Sequence, residues 1–191
     1  QRMKTDYVDL IQLHNPTVKE CEEGGLVDAL NKMRDQGKVR WIGVSTTLPD
    51  LPTYLGWGVF DVFQIPYSAL ERQHEDWIAK SAAAGTGIIV RGGVAQGEPG
   101  TDATERRSDK WAKFEDAGLD ELRDPGESRT TLILRYTLAH PNADTNIVGT
   151  SRIEHLHENI AGISKGPLSA DTYAETKRRL DSVGESPTSV D

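Results

Sequence analysis

The chain has 191 residues, with 30 acidic against 22 basic side chains, a formal charge of −8 and a pI near 5.2. Such a surface repels phosphates, which excludes a nucleic acid or an anionic membrane as partner. One cysteine, Cys21, excludes an intramolecular disulfide and fits a reducing cytoplasm, and no apolar run nears the ~20 residues of a membrane helix.

Residues 7–14 alternate, with Val8, Leu10, Gln12 and His14 on one face, which predicts a strand stopped by Pro16. Leu26, Leu30 and Met33 recur at helical spacing, and Gly37 follows as the cap. Residues 39–45 form the next predicted strand, and a short helix runs from Thr47 or Pro49-Asp50 to Gly56–Gly58. A strand over 61–65, a helix over 76–84 and a strand over 87–91 come next. The glycine-rich, charged stretch from Gly92 to Gly126 is too long for an ordinary βα loop, so it is expected to be functional, with a helix over 108–117. Helices over 128–138, 153–163 and 170–183 and a strand over 145–149 complete the reading. In the helix over 153–163, Ile153, Leu156, Ile160 and Ile163 share one face.

Five apolar runs thus end in a polar residue and lead into a helix. Parallel βα units point their strand C-termini one way, so His14, Ser45 and Gln64 are expected at one rim. The expected class is α/β, of (β/α)8 TIM-barrel type, present as a partial barrel of about five parallel strands with helices over 1–183. Residues 184–191 are expected to be a disordered tail. A full barrel takes roughly 250 residues, and Gln-Arg-Met-Lys-Thr-Asp reads as the end of a helix entering a strand. The chain is therefore read as the C-terminal five-eighths of a longer barrel.

Four segments resemble the aldo-keto reductase family in order and spacing. Thr5-Asp6-Tyr7-Val8-Asp9-Leu10-Ile11-Gln12-Leu13-His14 resembles its fourth strand, Gly37-Lys38-Val39-Arg40-Trp41-Ile42-Gly43-Val44-Ser45 its fifth and Gln64-Ile65-Pro66-Tyr67-Ser68 its sixth. The fourth, Gly149-Thr150-Ser151-Arg152-Ile153-Glu154-His155-Leu156-His157-Glu158-Asn159, resembles its cofactor segment after the eighth strand. The resemblance implies reduction of a small carbonyl substrate, an aldehyde or ketone, with a nicotinamide cofactor, NADP ahead of NAD with both left open. No G-x-G-x-x-G follows a strand, so a Rossmann cofactor domain has no support.

Of the family's catalytic Asp, Tyr, Lys and His, the resemblance maps only the His, at His14. Its implied role is a hydrogen bond to the carbonyl oxygen. Ser45, Thr46 and Gln64 are implied at the nicotinamide carboxamide, with Thr46 standing where the family usually has Asn. Arg91 stands where many members stack an aromatic ring, and its guanidinium can stack or pair with a phosphate. Gly92 and Gly97 let backbone N–H groups approach a pyrophosphate. Gly149, Ser151, His155, Glu158 and Asn159 match positions contacting the adenosine half.

The other polar residues read as structural. His155 and His157 face different sides of a helix, and neither His74 nor His140 has a ligand-spaced neighbour, so no metal site is expected. Cys21 lies among Glu20, Glu22 and Glu23, which raises its thiol pKa. Trp41, Trp57, Trp77 and Trp111 read as packing residues. A rival reading makes the chain a non-catalytic half-barrel that binds nucleotide or pairs with a separate N-terminal half of the barrel.

Overall fold

The computed structural model describes residues 4–98 and 109–190. Its elements run β1 (Val8–His14), α1 (Val18–Glu23), α2 (Leu26–Asp35), β2 (Val39–Ser45), α3 (Leu51–Trp57), β3 (Val62–Pro66), α4 (Glu75–Ala83) and β4 (Gly87–Arg91). They continue with α5 (Asp109–Asp116), a 3-10 turn (Leu119–Leu122), α6 (Arg129–Leu138), β5 (Thr145–Ile147), α7 (Ile153–Ser164) and α8 (Ala170–Ser182). The strands lie in one parallel sheet in chain order, β1-β2-β3-β4-β5, as consecutive βα units give. The predicted strands all form. Residues 99–108 of the 92–126 stretch, with the predicted helix start at Ser108, and Asp191 lie outside the described residues.

The chain divides into two compact units, one of residues up to Ile65 with Trp77–Ile89, the other of Pro66–Asp76 with the residues from Val90 onward. In the first, Ile42, Val44, Phe63, Ile65, Leu51, Tyr54, Ile78 and Ile88 are buried. Tyr54 meets Trp57 and Phe60 edge-on at 5.0 and 5.7 Å between ring centroids. Its hydroxyl donates to the Pro16 carbonyl at 2.7 Å, tying α3 to the end of β1. Asp61 joins β2 to β3. Its carboxylate accepts the Ile42 N–H at 2.9 Å and pairs with Arg34 of α2 at 3.2 Å.

Three expectations change in this unit. Helix α1 was not predicted; it forms because Thr17 and Glu20 make a reciprocal capping box, although its six residues carry no apolar period. Cys21 is buried rather than on an acidic surface, with its Sγ 3.7 Å from the Tyr54 hydroxyl. Burial, more than the neighbouring acids, pushes its thiol pKa up. Trp41 is 56 % exposed and packs on no ring among the described residues, while its neighbour Ile42 on the other strand face is buried.

In the second unit, Ser128 caps α6 by accepting the Thr131 N–H, and α6 buries Leu132, Ile133, Leu134 and Tyr136. Helix α7 presents Asn159 and Gly162 as its buried residues. A Cβ on Gly162 would lie 2.9 Å from Thr131 Cγ2, so glycine allows α6 and α7 to approach closely. The predicted apolar face of α7 does not enter the core: Ile153, Leu156, Ile160 and Ile163 are each between 43 % and 56 % exposed. The start of the predicted disordered tail is tied down. Glu185 is buried and accepts the Arg72 N–H at 2.7 Å, and the Thr188 N–H donates to the Gln73 carbonyl at 3.2 Å. Composition alone does not show that a buried arginine waits for this carboxylate.

His140 is buried against Tyr67, edge-on at 5.0 Å, and its Nδ1 accepts the Asn142 N–H at 3.1 Å, which requires the unprotonated nitrogen. Burial pushes its pKa below the ordinary imidazole value, and the same cause lowers His74. With depressed native pKa values, the unfolded chain binds more protons once the pH falls below about 6.5. The stability from these neutral rings is therefore complete above that pH and is lost as the pH drops toward the native values. Thermal melts at pH 7.5 and 5.5 are expected to show a lower Tm in acid, with a smaller difference in His140→Gln; equal pH dependence in the two proteins would contradict this.

Candidate functional site

Strand register sets the first cluster. The Cα of His14 pairs with Ser45, and Ser45 with Gln64, so the last residues of β1 and β2 and the middle residue of β3 stand in one row. Backbone bonds lock the row: the Asn15 N–H donates to Ser45 O at 2.9 Å and the Thr46 N–H to Gln64 O at 3.0 Å. The side chains then form a relay. Gln12 Nε2 donates to Gln64 Oε1 at 3.3 Å, Gln64 Nε2 reaches Ser45 Oγ at 3.5 Å, and Ser45 Oγ donates to Asn15 Oδ1 at 3.3 Å. Gln12 Oε1 is buried without a hydrogen-bond partner.

His14 is exposed, and its ring makes no hydrogen bond among the described residues, leaving both nitrogens open to a ligand. It lines an open cavity of about 630 Å³ with Leu13, Asn15, Pro16 and Glu20 among others. The row therefore presents an imidazole, a hydroxyl and amides side by side, a set able both to donate to and to accept from a small planar polar group. Thr46 is buried and turns its Oγ1 toward the Thr47 carbonyl at 3.4 Å, into its own loop.

The second cluster lies wholly within the other unit. A cavity of about 680 Å³ is lined by residues from the loop after β4, the start of α6, the segment after β5 and the first turns of α7. Six of the sequence-derived residues meet there: Gly97, Gly149, Ser151, His155, Glu158 and Asn159. Arg91 and Gly92 do not line it. Arg91 closes its strand by accepting the Tyr67 N–H on its carbonyl at 3.1 Å, and its Nε is buried without a hydrogen-bond partner.

The loop wall of the cavity is conformationally unusual. Ala95, Gln96 and Gly97 are successively left-handed, at φ 51°, 67° and 84°. For the two non-glycine residues this conformation costs on the order of 1 kcal/mol each, and such strain concentrates at ligand sites. Opposite, α7 starts at Arg152 without a side-chain cap, so its first N–H groups remain available to an anion.

Sequence reading missed Gln12 and Asn15 in the first cluster, and Gln96, Glu98, Ser128 and Thr130 in the second. Gln12 carried a usable signal, since it shares the strand face of His14. Glu98 carried none, because nothing in the local pattern shows where a strained loop will aim. Among the described residues no three His, Cys, Asp or Glu side chains are grouped to hold a metal, and no helix is long and apolar enough to cross a membrane.

The family model of the aldo/keto reductases matches residues 1–181. An uncharacterised oxidoreductase of Bacillus subtilis, YqkF, is 30 % identical over 83 % of this chain and 56 % of its own length. The L-galactose dehydrogenase of Arabidopsis thaliana is 25 % identical over 96 % of this chain and 62 % of its own. The chain thus spans about three-fifths of the curated relatives it matches. Among solved structures, aldo-keto reductase AKR11C1 of Bacillus halodurans, in its holo form, superposes with a TM-score of 0.79 at 25 % identity, covering all of this chain and 62 % of that one. An aldo-keto reductase of Klebsiella pneumoniae in complex with NADPH gives 0.68 at 24 % identity, covering 98 % and 62 %. These neighbours are (β/α)8 barrels, of which the present fold is a five-stranded part.

Proposed function

The chain belongs to the aldo/keto reductase family of oxidoreductases, and from that premise we propose that it forms the cofactor-facing part of an NAD(P)H-dependent reductase of small aldehydes or ketones, acting in the cytoplasm. The observation that carries this reading is the register row His14–Ser45–Gln64 with its amide relay. The residues fit a nicotinamide dinucleotide by donor chemistry. An orphaned Gln12 oxygen and the Ser45–Gln64 pair suit a carboxamide, and the second unit's cavity, with its glycines and uncapped helix start, suits a phosphate-linked nucleoside.

When bound, the reduced nicotinamide supplies hydride to the carbonyl carbon. The chain's own residues do the rest of what can be assigned to it. Ser45 and Gln64 hold the carboxamide and so fix which ring face is presented. His14 hydrogen-bonds the substrate oxygen, stabilising the negative charge that grows there. Gly97, Gly149, Ser151, His155, Glu158 and Asn159 are assigned to the adenosine end by the cavity they share, and Arg91 and Gly92 are assigned to the cofactor by the resemblance alone. Thr46 contributes through its backbone, since its side chain faces its own loop. The remaining proton-transfer groups, an Asp, a Tyr and a Lys in the family, are read as lying in an N-terminal half of the barrel outside these 191 residues. On this reading the chain by itself binds dinucleotide without turning over substrate.

Gln64→Ala tests the row. Losing two hydrogen bonds of about 1 kcal/mol each should weaken NADH and NADPH binding roughly tenfold or more, followed by quenching of protein fluorescence. Thr46→Val should bind as the parent does. Unchanged affinity in Gln64→Ala would remove the row from the cofactor site.

A further inference from the structure

The side-chain relay in the first unit has a direction, and its two outer members set it. A carboxamide has a donor end and an acceptor end, so each link fixes the next. Gln64 Oε1 accepts from Gln12 Nε2 at 3.3 Å, which leaves Gln64 Nε2 turned toward Ser45 Oγ at 3.5 Å. Ser45 Oγ then gives its one hydrogen to Asn15 Oδ1 at 3.3 Å. Two groups stay free for a ligand: the second Nε2 hydrogen of Gln64, a donor, and a lone pair of Ser45 Oγ, an acceptor. The opposite direction costs more. Turning both glutamine amides round would put the Gln12 N–H2 where its oxygen now lies buried without a partner. Two stranded donors would then replace one stranded acceptor.

Backbone features hold both outer members in place. Gln12 on β1 aligns with Gly43 of β2, and a Cβ there would lie 3.1 Å from Gln12 Cγ. Glycine therefore leaves room for the Gln12 side chain to cross β2 and reach Gln64 on β3. Asn15 is left-handed, at φ 47°, a conformation asparagine tolerates better than most residues, and its N–H is pinned to Ser45 O at 2.9 Å. We infer that Gln12 and Asn15 are positioning residues, which give the relay one direction so that Gln64 donates and Ser45 accepts. A planar carboxamide is thereby read in a single orientation, its oxygen at Gln64 and its N–H2 at Ser45. The flipped carboxamide would set donor against donor and acceptor against acceptor. This rests on reading the row as the nicotinamide carboxamide's site, and it adds what orients that site.

The test is titration of the 191-residue chain at pH 8 with NADH, its reduced 3-acetylpyridine analogue and ADP-ribose. The analogue keeps the oxygen but has a methyl group in place of N–H2, and ADP-ribose lacks the ring. The parent should bind NADH about fivefold more tightly than the analogue, the worth of one hydrogen bond. In Gln12→Glu the ionised side chain can only accept, so Gln64 turns its Nε2 toward it and the preference for NADH should vanish. Gln12→Met keeps a stem of similar length without polar amide atoms. There Gln64 can turn either way, and the preference should shrink. ADP-ribose should bind parent and variants alike. A parent that prefers NADH, with both variants keeping the full preference, overturns the inference alone. So does an equal loss for all three probes in a variant, which would make Gln12 a packing residue. A parent that binds NADH and the analogue equally, or binds neither, overturns the carboxamide reading and the inference with it.

Discussion

Arg72→Met is expected to destabilise the second unit by about 3 kcal/mol or more, measured by urea unfolding. The side chain is 1 % exposed. Its Nε pairs with Glu75 at 2.7 Å, and its Nη1 meets Asp181 at 2.8 Å, the Glu185 carbonyl at 2.8 Å and the Lys177 carbonyl at 3.3 Å. One guanidinium thus joins the entry of α4 to the last turns of α8 and the segment beyond it. Methionine matches much of the stem but leaves Glu75 and Glu185 buried with less opposing charge, from Lys177 and Lys113 alone. It also removes one donor each from the Glu185 and Lys177 carbonyls. Arg72→Lys should recover only part of the loss, because an ammonium cannot serve partners on several sides with a planar fork. A cost below about 1 kcal/mol for the methionine variant would mean that the node is replaceable by apolar packing.

Gly43→Ala should cost about 1–3 kcal/mol and weaken dinucleotide binding as well. A Cβ at this position would lie 2.7 Å from the Val62 carbonyl oxygen, 3.1 Å from Gln12 Cγ and 3.3 Å from Leu10 Cδ1. The side chains can move, but Gln12 then leaves its bond to Gln64 at 3.3 Å, the first link of the relay. The Val62 oxygen is backbone within the β2–β3 pairing and cannot yield without disturbing the ladder. Adding Gln12→Ala should therefore leave the stability loss largely in place. Full recovery of stability in the double variant would show that the clash is with side chains alone.

How much of this was legible in the sequence depends on how local each cause is. Strand alternation in Val39–Ser45 and helical spacing through Leu26, Leu30 and Met33 act within a few residues, and both elements form where the pattern puts them. Helix α1 escaped because its signal is a cap, Thr17 with Glu20, rather than a period. The alignment of His14, Ser45 and Gln64 was accessible through strand polarity; the bridging of those side chains by Gln12 and Asn15 was not, because it depends on register between strands. Arg72 was invisible for the same reason in stronger form, with its partners Asp181 and Glu185 more than 100 positions away. The apolar face of α7 shows that a periodic stripe announces a helix, yet does not say what covers it.

The chain-order sheet has a kinetic consequence. Val8 sits beside Val39 and Gly43 beside Val62, so these strands find their neighbours 31 and 19 positions along the polypeptide. Closing loops of that span costs little entropy, and each βα step can add to the one already formed. The first three strands can accordingly zip together in succession as they leave the ribosome, without waiting for distant sequence to be synthesised.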